Sequence, residues 1–296
     1  MKTIMQTSQH FAFDPSIPPA LRVHSGETVR FQCQDCYCGQ LEQDGWDFAR
    51  MDMGRNNPAT GPLYIEEAQP GDVLRVKILT IDIAEEGSMC ARTGAGIYGI
   101  EGCHCRRFPI RQGMVQFDKG IQVPVRPMIG VIGTAPAGQP VPTTVPGEHG
   151  GNLDIRDMNQ GATLYLPVQV PGALLSMGDL HAVQGDGETV ICALEMDGQV
   201  TVQVDVLRGR EDIPTPFLVT PDRYMTTAAD PSLDVCSVAA ARKMQAFLQQ
   251  HAGLTDAQSG LLLSLAGNLR ISQVVNPSKG CIMELPRGLA HESFEE

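Results

Sequence analysis

Two short stretches of this 296-residue sequence place imidazole and carboxylate side chains at spacings suited to joint chemistry. The first, from Pro146 to Asp154, reads Pro-Gly-Glu-His-Gly-Gly-Asn-Leu-Asp. Its paired glycines, Gly150 and Gly151, permit positive φ and close backbone approach. Such a loop can present N–H groups to an anion or a developing oxyanion while His149, Asn152 and Asp154 project around it. The same residues also suit a plain Gly-rich turn carrying a surface histidine. The second stretch runs Gly178-Asp-Leu-His-Ala-Val-Gln-Gly-Asp-Gly-Glu188. In an extended backbone, side chains two apart share a face, so Asp179 and His181 can bind one metal ion together or form a carboxylate–imidazole pair. Gly185-Asp186-Gly187 then reverses the chain and can return Glu188 to the same place. One imidazole and two acids on a tight hairpin suit metal-assisted hydrolysis, in which ligands fix the ion and a carboxylate takes a proton from water. A hairpin that merely prefers Gly-Asp-Gly, with His181 satisfied in the core, is the plainer alternative. Against it, two such clusters in a chain with only seven histidines exceed what turn chemistry requires.

Thiols form a third group of candidates. Cys33-Gln-Asp35-Cys36-Tyr-Cys38 contains a C-x-x-C-x-C run, and Cys103-His104-Cys105 is a second thiol-rich spot. Thiolates suit zinc or an iron–sulfur cluster. No partner C-x-x-C stands at finger-like separation, so ordinary thiols are the expectation. Nine cysteines without a secretory leader also favour reduced thiols over a disulfide framework. Asp35 is open to two roles, a further oxygen ligand or an acid bonded to a backbone N–H. Other catalytic signatures are missing. Ser176 lies in Leu-Leu-Ser-Met-Gly rather than a G-x-S-x-G elbow, and there is no Walker loop. Gly94-Ala-Gly96-Ile-Tyr-Gly99 matches a dinucleotide pattern only as text, with no strand–helix alternation around it.

The elements that must hold these groups are mostly strands. Val73 to Asp82 puts Leu74, Val76 and Ile78 on one face and Arg75 and Lys77 on the other. Val200 to Val206 alternates valine with polar residues. Thr163 to Gln169, Thr189 to Met196 and Ile129 to Gly133 are further strand candidates. Near Asp230 the period changes. Asp230 as N-cap with Pro231 at the first helical position predicts a helix through Val235, Val238, Ala239, Arg242, Met244, Phe247 and Leu248 to a stop at Gly253. Thr255 to Gln258 is a capping-box pattern for a second helix ending at Gly267. Leu269 to Val275 can return to the sheet, and Leu285 to Glu296 reads as a mobile acidic tail. The expected fold is mainly β, a sandwich or barrel-like antiparallel core with a C-terminal two-helix insertion (α+β). It is read as one domain over 1–296: β-rich 1–228, helical 230–267, returning strand and tail 268–296.

Composition narrows the partners. Lysine and arginine number 22 against 34 acids, a net charge of −12 that repels phosphate backbones and anionic membrane surfaces. No stretch of roughly 18 apolar residues is present to span a bilayer, and the N-terminus lacks the apolar run of a signal peptide, so a cytoplasmic chain is expected.

Five motifs together resemble the acetamidase/formamidase family: Asn57-Pro-Ala-Thr-Gly-Pro62, Ala68-Gln-Pro-Gly-Asp-Val-Leu74, the run Pro127 to Pro136, and the two stretches described first. Their order and spacing agree over about residues 20 to 285. The resemblance implies a β-rich hydrolase releasing ammonia from small aliphatic amides such as formamide or acetamide. It also implies an oligomer, read as a homodimer, and a divalent metal, zinc or calcium. The family's acidic and imidazole positions fall on Asp35, His149, Asp154, Asp179, His181 and Glu188. On that basis Asp179 and His181, helped by Asp35, His149 or Asp154, are expected to hold the ion. Glu188 would act as general base, and Gly150, Gly151 and Asn152 would stabilise the oxyanion. A related C–N substrate, a cyclic imide or carbamoyl compound, and an inactive metal- or ligand-binding β protein are the rival readings. The thiol-rich segments around Asp35 and Cys103 depart from the family pattern.

Overall fold

A computed structural model describes residues 1–41 and 45–289. Among them, strands make up two large sheets of nine and eleven strands and a small two-stranded one. The nine-stranded sheet is centred on Val73–Ile83 and Gly198–Leu207, which pair antiparallel along their length. Their alternation explains the pairing. Leu74, Val76, Ile78, Val200, Val202 and Val204 are fully buried, whereas Lys77 faces solvent and Val206 is half-buried at the strand end. The eleven-stranded sheet is centred on Leu175–His181, flanked by Met128–Gly133 and Glu195–Met196 on its main path and paired also with Ala59–Ile65. All seven residues of Leu175–His181 are buried, so its polar members, Ser176, Asp179 and His181, are carried into the interior by the strand itself. Leu63, Ile129, Ile132, Met177 and Leu180 meet the valine stripe of the first sheet in one continuous core. At about 1.5–3 kcal/mol for each large apolar side chain removed from water, this core is the main source of stability. The fold is therefore the mainly β, largely antiparallel architecture expected, with its two helices inserted between Arg223–Asp230 and Asn268–Gln273.

Two expectations need correction. Thr189 to Met196 is a strand only at Glu195–Met196, because Glu188 and Ile191 adopt positive φ (45° and 99°) and wrap the preceding segment over a cavity instead of extending it. Helix α1 spans Leu233–Ala252, and its N-cap is Ser232 rather than Asp230. The Ser232 hydroxyl accepts from the Val235 N–H, while Asp230 accepts from the Ser232 N–H and, with Pro231, precedes the cap. The buried face of α1 correspondingly runs through Cys236, Ala240, Met244, Phe247 and Leu248, leaving Val235 and Val238 exposed. Phe247 packs against Phe217 (4.9 Å) and Tyr224 (5.1 Å) of the sheet. Gly253, at φ 63°, ends the helix in the left-handed conformation. Helix α2 (Asp256–Ala266) opens on the anticipated Thr255–Gln258 capping box. We predict that Ser232→Ala lowers stability by about 0.5–2 kcal/mol, the usual cost of a lost N-cap. Urea unfolding checks this, and an unchanged midpoint would return the cap to Asp230.

The returning strand is Asn268–Gln273, paired with Lys279–Pro286 at the sheet edge. Of the expected tail, Leu285 and Pro286 end that last strand and Arg287–Leu289 form a short 3₁₀ turn. The remainder, 290–296, lies outside the described residues.

Candidate active site

Four strands of the eleven-stranded sheet, Glu86–Arg92, Gly150–Asn152, Leu175–His181 and Glu195–Met196, and the loops that carry Cys36, Asn57, Thr144, Glu188 and Asn276 converge on a cavity of about 350 Å³. Its chemical wall contains Asp179, Glu188, Glu195, Asn152, Asn57 and Cys36. Asp179 sits near the end of the buried central strand and His181 two residues further on. His181 lies directly opposite Glu195 on the neighbouring strand. That cross-strand pairing brings Glu195 Oε2 to 3.2 Å from His181 Nε2, and Asp179 Oδ1 lies 3.4 Å from the same nitrogen. Asp154 arrives from the next strand but one. Its N–H and that of Leu153 both donate to the Gly130 carbonyl, which turns the carboxylate inward. Glu188 is delivered by Gly185–Gly187. This segment does not fold back as a hairpin on Leu175–His181 but runs to the far edge, where Gly187 bridges Gln273. Glu188 still reaches the anticipated place: ligand atoms of Asp154, His181 and Glu188 all lie within 4.8 Å of one another, as do those of Cys36, Asp179 and Glu195. Asp154, Asp179 and Glu188 all hold positive φ, 47°, 55° and 45°. Non-glycine residues rarely adopt this conformation, and packing that enforces it three times in one pocket keeps strain at the site.

Hydrogen bonds fix the imidazole. Gln184 Nε2 donates to the Asp154 carbonyl at 2.8 Å, so its Oε1 faces His181 Nδ1 at 2.9 Å and accepts that nitrogen's proton. His181 Nε2 is thereby left pointing at two carboxylates, with no aligned hydrogen bond of its own among the described residues. Glu188 Oε2 and Glu195 Oε2 are likewise buried without a partner. Asn152, with its amide nitrogen toward the acids, donates to Asp179 Oδ2 (3.0 Å) and Asp154 Oδ2 (3.2 Å), and its oxygen accepts from Asn276 (3.0 Å) and Asn57 (3.3 Å).

Four buried carboxylates around one imidazole carry an excess of negative charge, and protonation responds to it. Burial pushes Glu188 well above the usual carboxylate range, and the charge of Asp154 adds to the shift. Asp154 is raised to about 6 by burial and by Asp179. Glu195 is raised to about 8, chiefly by burial, which outweighs the opposing pull of His181. Burial alone would depress His181, but Glu195 and Asp179 reverse that and hold the imidazole well above its ordinary value. The pocket thus needs positive charge at Nε2, either a proton or a cation. A cation fits the donors present. Spacings of 3.2 and 3.4 Å from Nε2 to the two carboxylate oxygens are close to the edge, about 3.3–3.6 Å, of a tetrahedron built on metal–ligand bonds of roughly 2.0–2.2 Å. The orphaned atoms are those such an ion would satisfy.

Of the residues singled out from the sequence, Asn152, Asp154, Asp179, His181 and Glu188 come together here. Asn152, Asp179 and Glu188 line the cavity, with Asp154 and His181 against them, and the other four stand apart. Asp35 accepts from the N–H groups of Tyr37 (2.7 Å) and Gly39 (3.2 Å) and closes a turn. His149 stacks edge-on against Phe13 at 5.0 Å, and burial depresses its imidazole to about 4. Gly150 and Gly151 pair with Gly133 and Ile132 as strand residues. Sequence reasoning missed Glu195, Cys36, Gln184, Asn57 and Asn276. Glu195 had a signal, a lone acid in the otherwise apolar run Val190 to Met196. Cys36 had none, since nothing local distinguishes it from Cys33 and Cys38. Burial beside Glu195 and Asp179 keeps its thiol protonated, well above its ordinary pKa.

A largely antiparallel β-fold enclosing one oriented imidazole among four carboxylates defines an enzyme centre built for acid–base work on a small polar substrate. The chain belongs to the acetamidase/formamidase family, whose model matches residues 2–143 and 135–291. It is an amidohydrolase of that family, acting on small linear amides. It is similar to the crystal structure of an acetamidase from Bacillus halodurans, at 42% identity, covering 97% of this chain and 98% of that one with a TM-score of 0.95. A predicted acetamidase/formamidase from Thermoanaerobacter tengcongensis is 38% identical, over 97% and 96% of the two chains, with a TM-score of 0.94. The acetamidase of Mycolicibacterium smegmatis is 28% identical over 68% of this chain and 66% of its own. Among the described residues no helix is long and apolar enough to cross a membrane.

Proposed function

We propose that the chain hydrolyses acetamide- or formamide-sized amides to carboxylate and ammonia in a metal-dependent reaction, with Asp179, His181 and Glu195 holding a divalent cation and Glu188 acting as general base. The observation that carries this reading is the set of unpartnered buried atoms, His181 Nε2, Glu188 Oε2 and Glu195 Oε2, with His181 Nε2 3.2 Å from Glu195 Oε2 and ligand atoms of His181 and Glu188 within 4.8 Å of each other. When bound, the cation supplies Lewis-acid polarisation of the amide carbonyl. The rest falls to the protein. Gln184 holds His181 in one tautomer, and Asn152 holds Asp179 and Asp154 apart with its two N–H bonds. Asp154 and Glu188 lie too close in too dry a place for both to ionise, so the pair retains a proton. It can take one from the attacking water and return one to the departing nitrogen. The small cavity excludes bulk water around these charges, which strengthens each interaction within it.

The test combines ammonia release from a panel of formamide, acetamide, propionamide, a cyclic imide and a carbamoyl compound with elemental analysis of the purified protein. The expected result is turnover of the short linear amides by protein carrying a divalent ion. Turnover should be lost on chelation and restored by adding the ion back. Full turnover by protein stripped of metal would refute the metal-dependent reading, and exclusive turnover of the imide or carbamoyl compound would move the substrate assignment to the rival class.

A further inference from the structure

Of the two thiol-rich segments, the one around Cys103 assembles a sulfur cluster of its own beside the carboxylate centre. Cys90 on Glu86–Arg92 lies directly opposite Cys105 on Cys103–Arg111, and Cys103, two residues before Cys105, shares its face. Contrary to the expectation of reduced thiols throughout, the cross-strand register joins Cys90 and Cys105 in a disulfide. The third sulfur, Cys103 Sγ, lies 3.6 Å from Cys105 Sγ and 3.7 Å from Cys90 Sγ. Its other polar neighbour is the Trp46 carbonyl at 3.8 Å. Cys103 is exposed, whereas Cys90 and Cys105 are buried and Cys90 also lines the amide cavity.

We propose that, once the disulfide is reduced, Cys90, Cys103 and Cys105 form a three-thiolate site for one soft divalent metal ion such as zinc, distinct from the carboxylate centre. The sulfur spacings carry the argument. An ion with metal–sulfur bonds of about 2.3 Å in tetrahedral geometry holds its sulfurs about 3.8 Å apart. The two contacts made by Cys103 already stand at 3.6 and 3.7 Å. Reduction separates the remaining pair, since two free sulfurs cannot stay at bonding distance. Exposure of Cys103 supplies an entry route and leaves the fourth position open to water. Arg92 lies opposite Cys103 in the strand register, with its guanidinium over the Phe48 ring at 4.4 Å. The chemistry balances: a dithiol reductant gives two electrons and two protons to the Cys90–Cys105 bond and becomes a disulfide. The two thiols so formed and the thiol of Cys103 then release three protons to solvent as the ion binds.

The experiment is an anaerobic cobalt(II) titration of the full chain, reduced with a phosphine and stripped of metal, read by thiolate-to-cobalt charge-transfer absorption in the near ultraviolet. We expect a band that saturates within two added equivalents, one for the thiolates and one for the carboxylate pocket, and that survives in Glu188→Gln and Cys36→Ser, which separates it from that pocket. It should lose at least a third of its intensity, with at least tenfold weaker binding, in Cys103→Ser. Cys105→Ser should behave likewise, and because Cys103 is exposed its variant should keep native circular dichroism and ammonia release. Three results overturn the proposal. One is the absence of the band in reduced protein, another is its disappearance in Cys36→Ser, and the third is a mass map in which Cys90–Cys105 persists in folded protein after reduction.

Discussion

Replacing Glu188 by glutamine is expected to lower the rate of ammonia release by about 10²–10⁴-fold, the range supplied by a positioned general acid–base group, with the fold unchanged. The two side chains are nearly isosteric, so cavity volume and strand pairing are kept. Glu188 is buried at the pocket wall with one oxygen unpartnered and the other acids crowded about it. Those neighbours raise its proton affinity, and an amide at that position can neither take nor return a proton. Because Glu188 is read as base rather than ligand, bound metal should remain near the wild-type ratio, and elemental analysis separates the two roles. Initial rates on acetamide and formamide, with far-ultraviolet circular dichroism as the control, decide the matter. A variant within threefold of wild type would remove Glu188 from proton transfer, and one that turns over slowly because it has lost its metal would make it a ligand.

Gly130→Ala is expected to lower turnover by on the order of 10²-fold or more without replacing any ionisable group. Gly130 lies on Met128–Gly133, next to the strand that carries Asp179 and His181. A Cβ built there would stand 2.6 Å from Asp154 Oδ1, 2.6 Å from Asp179 Oδ2 and 2.9 Å from the Asp179 carbonyl. None of these can yield easily. Both acids are buried at positive φ, and the Gly130 carbonyl itself accepts from the N–H groups of Leu153 and Asp154. Overpacking of this kind costs about 1–3 kcal/mol of stability. A displacement of about 1 Å in a catalytic group costs on the order of 10²-fold in rate. Gly138→Ala is the matched control, since nothing lies within 4 Å of a Cβ at that position. Thermal melts and rates of the two variants side by side test this. Equal activity in both would show that the carboxylates tolerate movement.

The residues that assemble the pocket were legible in unequal measure. Asp179 and His181 could be paired from the period of an extended strand, because two-residue spacing fixes a shared face whatever the surroundings. Glu188 could be placed near them from Gly185-Asp-Gly187, although the chain arrives by bridging Gln273 rather than by a hairpin. Asp35 and His149 carry the same chemistry in the sequence but stand elsewhere. Asp35 sits where a turn needs its N–H groups satisfied, and His149 lies against Phe13. The paired glycines likewise suit an oxyanion loop and a tight strand equally well, and pairing with Ile132 and Gly133 decides for the strand.

By itself the sequence determined what depends on local period and local capping: the valine stripes, the capping box at Thr255, and a mainly β chain with two late helices. It also set the excess of acids over bases, part of which is now located, since four carboxylates share one buried pocket around His181. Tertiary structure alone added the fourth of them and set Asp35 apart. Glu195 enters because it faces His181 across two strands, and Cys90 meets Cys105 and Cys103 for the same reason. Strand register between segments distant in the chain sets such meetings. A shift of one residue would turn each of these side chains to the opposite face, so no local pattern can specify them.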